Sequence, residues 1–247
     1  MTEPEPGLNG RSIHQARGKV IGGSSSINGM VYVRGHPSDF DQWESLGATH
    51  WGYRYCLPYF RKAEQSKFGG DQYRGDSGPL YTSNSNEMKN PLYRAFIEAG
   101  VQAGYEASED VNGYQQEGFG RMDATIKGGV RWSTANAYLK PAMRRPNLHV
   151  EMGVLTHRIL LEGKLAVGVE YSQNGKIFCA KARREIILSA GPFNSPKLLM
   201  LSGIGPSEHL REHGIEVNHH LPGAGENLHD HLEIWFQQAC TQPITIN

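Results

Sequence analysis

Two stretches of this 247-residue sequence carry residue types and spacings suited to chemistry. The first is Gly22-Gly23-Ser24-Ser25-Ser26, inside residues 18–41, GKVIGGSSSINGMVYVRGHPSDFD. Two adjacent glycines let the backbone turn tightly and approach a ligand with no Cβ in the way. Three hydroxyl residues then stand where a helix would begin, with free N–H groups and good capping side chains. Such a helix start favours an anion, typically a phosphate. The same residues also suit a turn that only caps a helix. The second stretch is Gly225-Glu226-Asn227-Leu228-His229-Asp230-His231-Leu232-Glu233-Ile234-Trp235. If residues 232–237 form a strand, Glu233 and Trp235 share a face. A carboxylate beside an aromatic ring suits a quaternary ammonium group, through charge and cation–π attraction. A solvated glutamate on an exposed strand fits the same residues. His229-x-His231 has the spacing of a metal-binding strand pair, but no third ligand is placed, so no metal site is assigned.

These residues need elements to hold them. Residues 26–32 suit a short buried helix, in which Asn28 must find hydrogen-bond partners. An aromatic-rich set follows: Phe40, Trp43, Trp51, Tyr53, Tyr55, Tyr59 and Phe60. Residues 55–63 have helical spacing, and this set reads as core. Residues 68–77 read as a loop and 78–82 as a strand. Residues 91–100 predict a helix, with Pro91 near its start and Gly100 near its stop. A second helix is predicted over 134–145, with Ser133 or Thr134 as its cap. The pattern then changes to short strands at 148–152, 155–161, 166–171 and 177–180, with Gly163 and Asn174-Gly175 as turns. An apolar strand over 185–190 runs into Gly191-Pro192 and a helix, a strand–turn–helix arrangement of the kind found in doubly wound α/β folds. Gly203-x-Gly205 reads as a helix stop.

Composition narrows the classes. Hydrophobic residues make up 38% and charged residues 20%, with 25 Lys+Arg against 25 Asp+Glu, so no basic face for nucleic acid is indicated. Cys56, Cys179 and Cys240 form no CxxC pair, which argues against structural zinc and against a disulfide framework. No apolar run approaches the roughly 20 residues of a membrane span. The start, MTEPEPGLNG, has no apolar core of a signal peptide.

The stretch over 18–41 resembles the first signature of the glucose-methanol-choline (GMC) oxidoreductases, through Gly18, Ile21, Gly22, Gly23, Ser24, Ser25, Ile27, Asn28, Tyr32, Gly35 and Asp41. Residues 191–205, GPFNSPKLLMLSGIG, resemble the second. Within the family, VYVRGHPSDFDQW, NGYQQEGFG and GENLHDHLEIWFQQACTQPIT are most similar to choline-oxidising members. The resemblance implies an α/β fold (α+β overall): part of an FAD-binding, Rossmann-like domain joined to part of an antiparallel-sheet substrate domain. It divides the chain into FAD-domain parts at 1–75 and 131–231, with a lid near 68–77, and substrate-domain parts at 76–130 and 232–247. It implies FAD as cofactor, with Val20, Gly22, Gly23, Ser24, Asn28, Gly29, Met30, Val31, Thr156 and Gly191 as binding residues. Ile27 replaces a histidine that binds flavin covalently in some relatives, so the flavin would be non-covalent through this position. Asp230-His231-Leu232-Glu233 matches the pattern whose glutamate holds a trimethylammonium head, which makes Glu233 the substrate anchor with Trp235 beside it.

The implied reaction is oxidation of an alcohol, choline, to its aldehyde, with hydride passing to the flavin. The electron acceptor is left open. Another alcohol or sugar as substrate, or a non-redox lyase or inert remnant on the same fold, are the competing readings. Animal-type members suggest a mitochondrial, membrane-associated setting. No G-x-G-x-x-G unit precedes Gly18, and the family's catalytic histidine has no counterpart before Asn247. The expectation is therefore a fragment that is inactive alone and contributes no catalytic residue.

Overall fold

The computed structural model describes residues 1–84, 89–230, 234 and 237–244. The chain forms two compact units. One is Met1–Leu148 with the chain's end from Ala239; the other is His149–Gln238. Helix and strand are mixed in both.

The first unit begins its regular structure at β1 (Val31–Tyr32), followed by α1 (Pro37–Ser45) and α2 (Tyr53–Ala63). Pro37 sits in the first turn of α1, where its missing N–H costs nothing. The His36 ring accepts from Ser38 N while Asp39 accepts from His36 N, a reciprocal cap. Phe40 is buried, with its ring 5.2 Å from Trp43 and 5.4 Å from Phe60 of α2. The rest of the aromatic set is not core as expected: Tyr53, Tyr55 and Phe60 are half-buried, and Trp43, Trp51 and Tyr59 are exposed. Next, β2 (Glu64–Ser66) runs parallel to β3 (Leu80–Thr82), with the predicted glycine-rich loop between them. α3 (Pro91–Gln102) is capped by Asn90, and β4 (Ala107–Ser108) pairs with β5 (Phe119–Gly120). Gly100 lets α3 rest on β5: a Cβ there would overlap the Phe119 ring. β6 (Asp123–Ala124) pairs antiparallel with β1. β7 (Ile126–Lys127) and β8 (Val130–Arg131) form a hairpin. Its turn residues Gly128 and Gly129 both have positive φ, as a type I′ turn requires.

The helix predicted from Thr134 forms, but as a widened π turn over Ala135–Leu139 running into α4 (Lys140–Ala142). Pro141 has no N–H to offer the carbonyl four residues back, and the widened turn falls just before it.

The second unit is a three-stranded antiparallel meander, β9 (Val154–Glu162), β10 (Leu165–Gln173) and β11 (Lys176–Lys181), with β10 in the middle. Asn174 and Gly175 turn β10 into β11 with φ of 51° and 76°, as their sequence predicts. α5 (Gly191–Leu201) packs against β9. Ser202, at its end, is buried: its hydroxyl accepts from Ile159 N at 2.8 Å and donates to Leu198 O at 2.6 Å. The chain then makes a small parallel unit from β12 (Ile204–Gly205), α6 (Ser207–Glu212) and β13 (His219–His220), pinned by the fully buried Leu210.

Three sequence expectations are corrected. Residues 26–32 are not a helix; only Gly23–Ser26 is helical, as a single 3₁₀ turn, and β1 follows. The Asn28 side chain explains the stop, because its Oδ1 accepts from Met30 N at 3.1 Å and offers the backbone an alternative to helix. Met30 accordingly takes a φ of 63°. Residues 148–152 form no strand, and neither do 185–190. A strand exists only by pairing, and among the described residues none pairs with 185–190, where Ile187 is 79% exposed.

Candidate functional site

The site is built on the double-glycine turn. Gly22 and Gly23 have φ of 91° and 54°, a region that costs side-chain-bearing residues strain. Packing is as strict as backbone angle. A Cβ at Gly18 would overlap the Gly23 carbonyl, and one at Gly22 would overlap Ser26 Oγ and sit 3.2 Å from Ala135 Cβ. By contrast, a Cβ on Gly23, Gly29 or Gly191 would meet no atom within 4 Å. Within this loop the Gly23 and Gly29 positions are therefore open, and the Gly18 and Gly22 positions are closed.

The three serines lock the turn from within. Ser24 Oγ accepts from Gly18 N at 3.2 Å, Ser25 Oγ donates to Gly22 O at 2.5 Å, and Ser26 Oγ donates to Ile21 O at 2.9 Å. None of them caps the 3₁₀ turn, whose N-cap is Gly22 with no side-chain bond. A turn of four residues also has no macrodipole of consequence, since that builds up over successive aligned peptides. The helix-start reason for anion binding therefore does not hold here.

A second clasp comes from more than a hundred residues away. Thr134 donates its N–H to Ser25 Oγ at 2.9 Å and its hydroxyl to Gly22 O at 3.2 Å. Arg131 donates to Asn28 O at 2.6 Å, Asn28 Oδ1 at 2.9 Å and Ser25 O at 3.3 Å. Met30 O accepts from Thr125 N at 2.8 Å. Asn28 thus finds the partners its polarity demands, although it is exposed rather than buried. Around the turn, Val20, Ile27 and Val31 expose 56%, 51% and 57% of their surface, an apolar rim on a polar loop. Sequence reading missed Arg131 and Thr134; the only signal was the Thr134 cap position, which serves the loop instead of its own helix.

Behind β1 lies a buried ion cluster that the sequence did not announce. Glu64 is fully buried and takes Arg34 Nη2 at 2.7 Å, Arg74 Nη2 at 2.7 Å and Nε at 3.1 Å, Thr82 Oγ1 at 2.7 Å and Gly75 N at 3.2 Å. Arg74 also reaches Asp123 at 2.6 Å and Asp110 at 2.7 Å. Burial alone would raise the Glu64 carboxyl, but the Arg74 and Thr82 hydrogen bonds with both arginine charges outweigh it and hold it below the usual carboxylate range. The cluster ties β2, β3 and β6 to the glycine-rich loop through Arg74 and Gly75, and Arg34 Nη1 adds a bond to Tyr73 O at 2.5 Å. Asn112 adds to it, accepting from Arg34 N at 2.8 Å and donating to Tyr32 O at 3.0 Å.

The structure thus brings Val20, Gly22, Gly23, Ser24, Asn28, Gly29, Met30 and Val31 together in the first unit. Thr156, on β9, and Gly191, at the start of α5, belong to the second. Gly191 has φ of 86° and an open Cβ direction. Glu233 and Trp235 lie outside the described residues, as does His231.

Comparison with known proteins adds to this geometry. Residues 6–233 match the family model of the GMC oxidoreductases. An oxygen-dependent choline dehydrogenase of Photobacterium profundum is 58% identical over 247 residues, covering 100% of this chain and 44% of its own length. One from Brucella anthropi is 57% identical, covering 99% and 44%. Among solved structures, pyridoxine 4-oxidase from Mesorbium loti superposes with a TM-score of 0.83 at 38% identity, over 90% of this chain and 44% of that one. Formate oxidase of Aspergillus oryzae gives 0.73 at 31% identity, over 82% and 36%. The chain spans less than half the length of the curated relatives it matches.

Proposed function

The chain belongs to the GMC oxidoreductase family, and from that premise we propose that it forms the cofactor-cradling part of an FAD-dependent alcohol oxidoreductase acting on choline. The observation that carries the reading is the turn at Gly22-Gly23, locked by three serines, clasped by Arg131 and Thr134, and left open at Gly23 and Gly29. These residues fit a large group with a flat apolar ring and polar edges. Backbone can approach it at the open glycines, and Val20, Ile27 and Val31 supply an apolar rim. Val20, Gly22, Gly23, Ser24, Asn28, Gly29, Met30 and Val31, all of the first unit, would hold it. Bound flavin supplies the hydride acceptor.

The protein's own share is positioning. Arg131 fixes both the side chain and the carbonyl of Asn28, so that this polar group keeps one orientation. Ile27 has no nucleophilic atom, which leaves the cofactor held by non-covalent contacts. Glu233 and Trp235 would hold a trimethylammonium head by charge and by the ring face. Choline is preferred over other alcohols because the relatives at 56–58% identity bear that name, whereas the pyridoxine oxidase stands at 38%. Their name also favours oxygen as electron acceptor. A mitochondrial setting is not carried forward, since these relatives are bacterial. Among the described residues no helix is long and apolar enough to cross a membrane.

The test is flavin retention. The purified chain, mixed with FAD and desalted, is expected to keep flavin absorbance, and Gly23→Val is expected to lose it. Absence of retained flavin in the unaltered chain would remove the cradle. In a longer protein that carries this chain, Glu233→Gln should raise KM for choline strongly with flavin content unchanged; an unmoved KM would remove the substrate anchor.

A further inference from the structure

A different group of side chains, on the second unit, has ligand geometry of its own. His209 and Glu212 lie on α6, and His213 is the residue that ends it. Their spacing of three and four residues puts all three on one helix face. One ligand atom from each lies within 4.8 Å of the others, and all three side chains are exposed. The His213 ring is already oriented: its Nδ1 lies 3.0 Å from the His209 carbonyl oxygen. A carbonyl only accepts, so Nδ1 is the donor in this contact and Nε2 is the ring nitrogen left to face a ligand. A backbone carbonyl on the far nitrogen is how metal-bound histidines are commonly aligned. The two imidazole rings are 4.5 Å apart between centroids. The platform is rigid, because Leu210 is fully buried beneath the helix and β12 and β13 pair on either side of it in sequence.

We propose that His209, Glu212 and His213 form a surface site for one divalent transition-metal ion. Two imidazoles and a carboxylate suit Zn²⁺, Cu²⁺ or Ni²⁺ and leave outer positions for water. Mg²⁺ and Ca²⁺ need oxygen ligands in larger number and are disfavoured. Copper binds more tightly than nickel or zinc at such a donor set. Because imidazole must be neutral to bind, affinity falls on acidification. The assignment goes against the sequence reading, which among the histidines weighed His229 and His231 for metal; the histidine pair four apart in HLREH was the signal it passed over.

The experiment is titration of the untagged 247-residue chain with ZnCl₂ by calorimetry, alongside His209→Ala, His213→Ala and Glu212→Gln. One equivalent of zinc is expected, unaffected by excess Mg²⁺. Each histidine change should weaken binding by about 10–100-fold or more, the range that disturbing a metal site's ligand shell produces. Glu212→Gln should weaken it less. The three side chains are exposed, so the variants should keep the far-ultraviolet circular dichroism of the parent. Failure of the unaltered chain to bind zinc would overturn the proposal. So would undiminished binding by the His209→Ala/His213→Ala double variant, which would place the metal on other histidines such as His219 and His220.

Discussion

Replacing Glu64 by glutamine tests what holds the first unit together. Glu64 is fully buried and accepts five hydrogen bonds, three of them from guanidinium nitrogens. Counting each charge-assisted bond at about 1.5–3 kcal/mol would give a sum near or beyond the whole stability of a domain, about 5–15 kcal/mol. Simple addition therefore overshoots. What decides the cost is the charge left behind. Arg74 keeps Asp123 and Asp110, but Arg34, itself buried, keeps among the described residues Tyr73 O, the Tyr32 hydroxyl and aromatic faces, and no second carboxylate. Breaking one side of a buried ion pair costs about 3–5 kcal/mol. At about 2–4 °C per kcal/mol for a domain of this size, the melting point should fall by about 6–20 °C. Tryptophan fluorescence reports on this unit, because Trp43, Trp51 and Trp132 all belong to it. Asp110→Asn is the control; Asp110 is a third exposed, and the change should cost less than about 1 kcal/mol. The pH dependence has a definite sign. The folded-state carboxyl of Glu64 lies below its ordinary value, so its contribution is complete above the ordinary glutamate range and is lost as pH falls through the depressed value. Glu64→Gln should flatten that acid limb. A shift under about 2 °C, or an acid limb unchanged in the variant, would refute the view that this cluster stabilises the unit.

Three further changes probe the clasp and the second unit. Gly22→Ala should cost about 1–2 kcal/mol from backbone strain alone, plus the clash with Ser26, measured as a lower melting point of the first unit. Arg131→Met removes the donor to Asn28 and Ser25 and should cost about 1.5–3 kcal/mol locally, seen as faster hydrogen exchange at Met30 and Val31, with partial rescue by Lys. Ser202→Ala strands the buried N–H of Ile159 and should destabilise the second unit by about 1–3 kcal/mol in urea unfolding.

The helices were legible where local chemistry alone places them: Pro91 and Pro192 mark first turns, and Asn174-Gly175 marks its hairpin because both residues take positive φ. The helix begun by Pro37 went unread. The glycine turn was legible for the same reason. Residues 26–32 misled because the apolar Ile27, Met30, Val31 and Tyr32 read as one buried helix face, although Ile, Val and Tyr favour strand by type and the Asn28 side chain redirected the backbone. The strand at 185–190 misled differently: its residues suit a buried parallel strand, but pairing is a property of its neighbours and cannot be read from the segment itself.

The clasp and the ion cluster were out of reach for a deeper reason. Thr134 and Arg131 act on residues about a hundred positions earlier, and nothing in their own surroundings distinguishes them from other polar residues of a hairpin and a helix start. Arg34, Glu64, Arg74 and Asp123 are spread over ninety positions and would each be read as solvated charge. Yet among the described residues of the first unit the buried apolar side chains are Phe40, Ala124, Ala135 and Ala137, three of them only a methyl group, while Arg34, Glu64, Arg74, Asp123, Asn84 and Asn112 are buried with Thr82 and several serines. Hydrophobic patterning locates a core by the area that apolar groups remove from water. A centre built by pairing charges leaves no such period in the sequence, because its energy depends on partners and not on residue type. That is why the same reading could find the glycine turn and not the ion cluster, and why Glu64→Gln, more than any change in an apolar residue, should destabilise this unit.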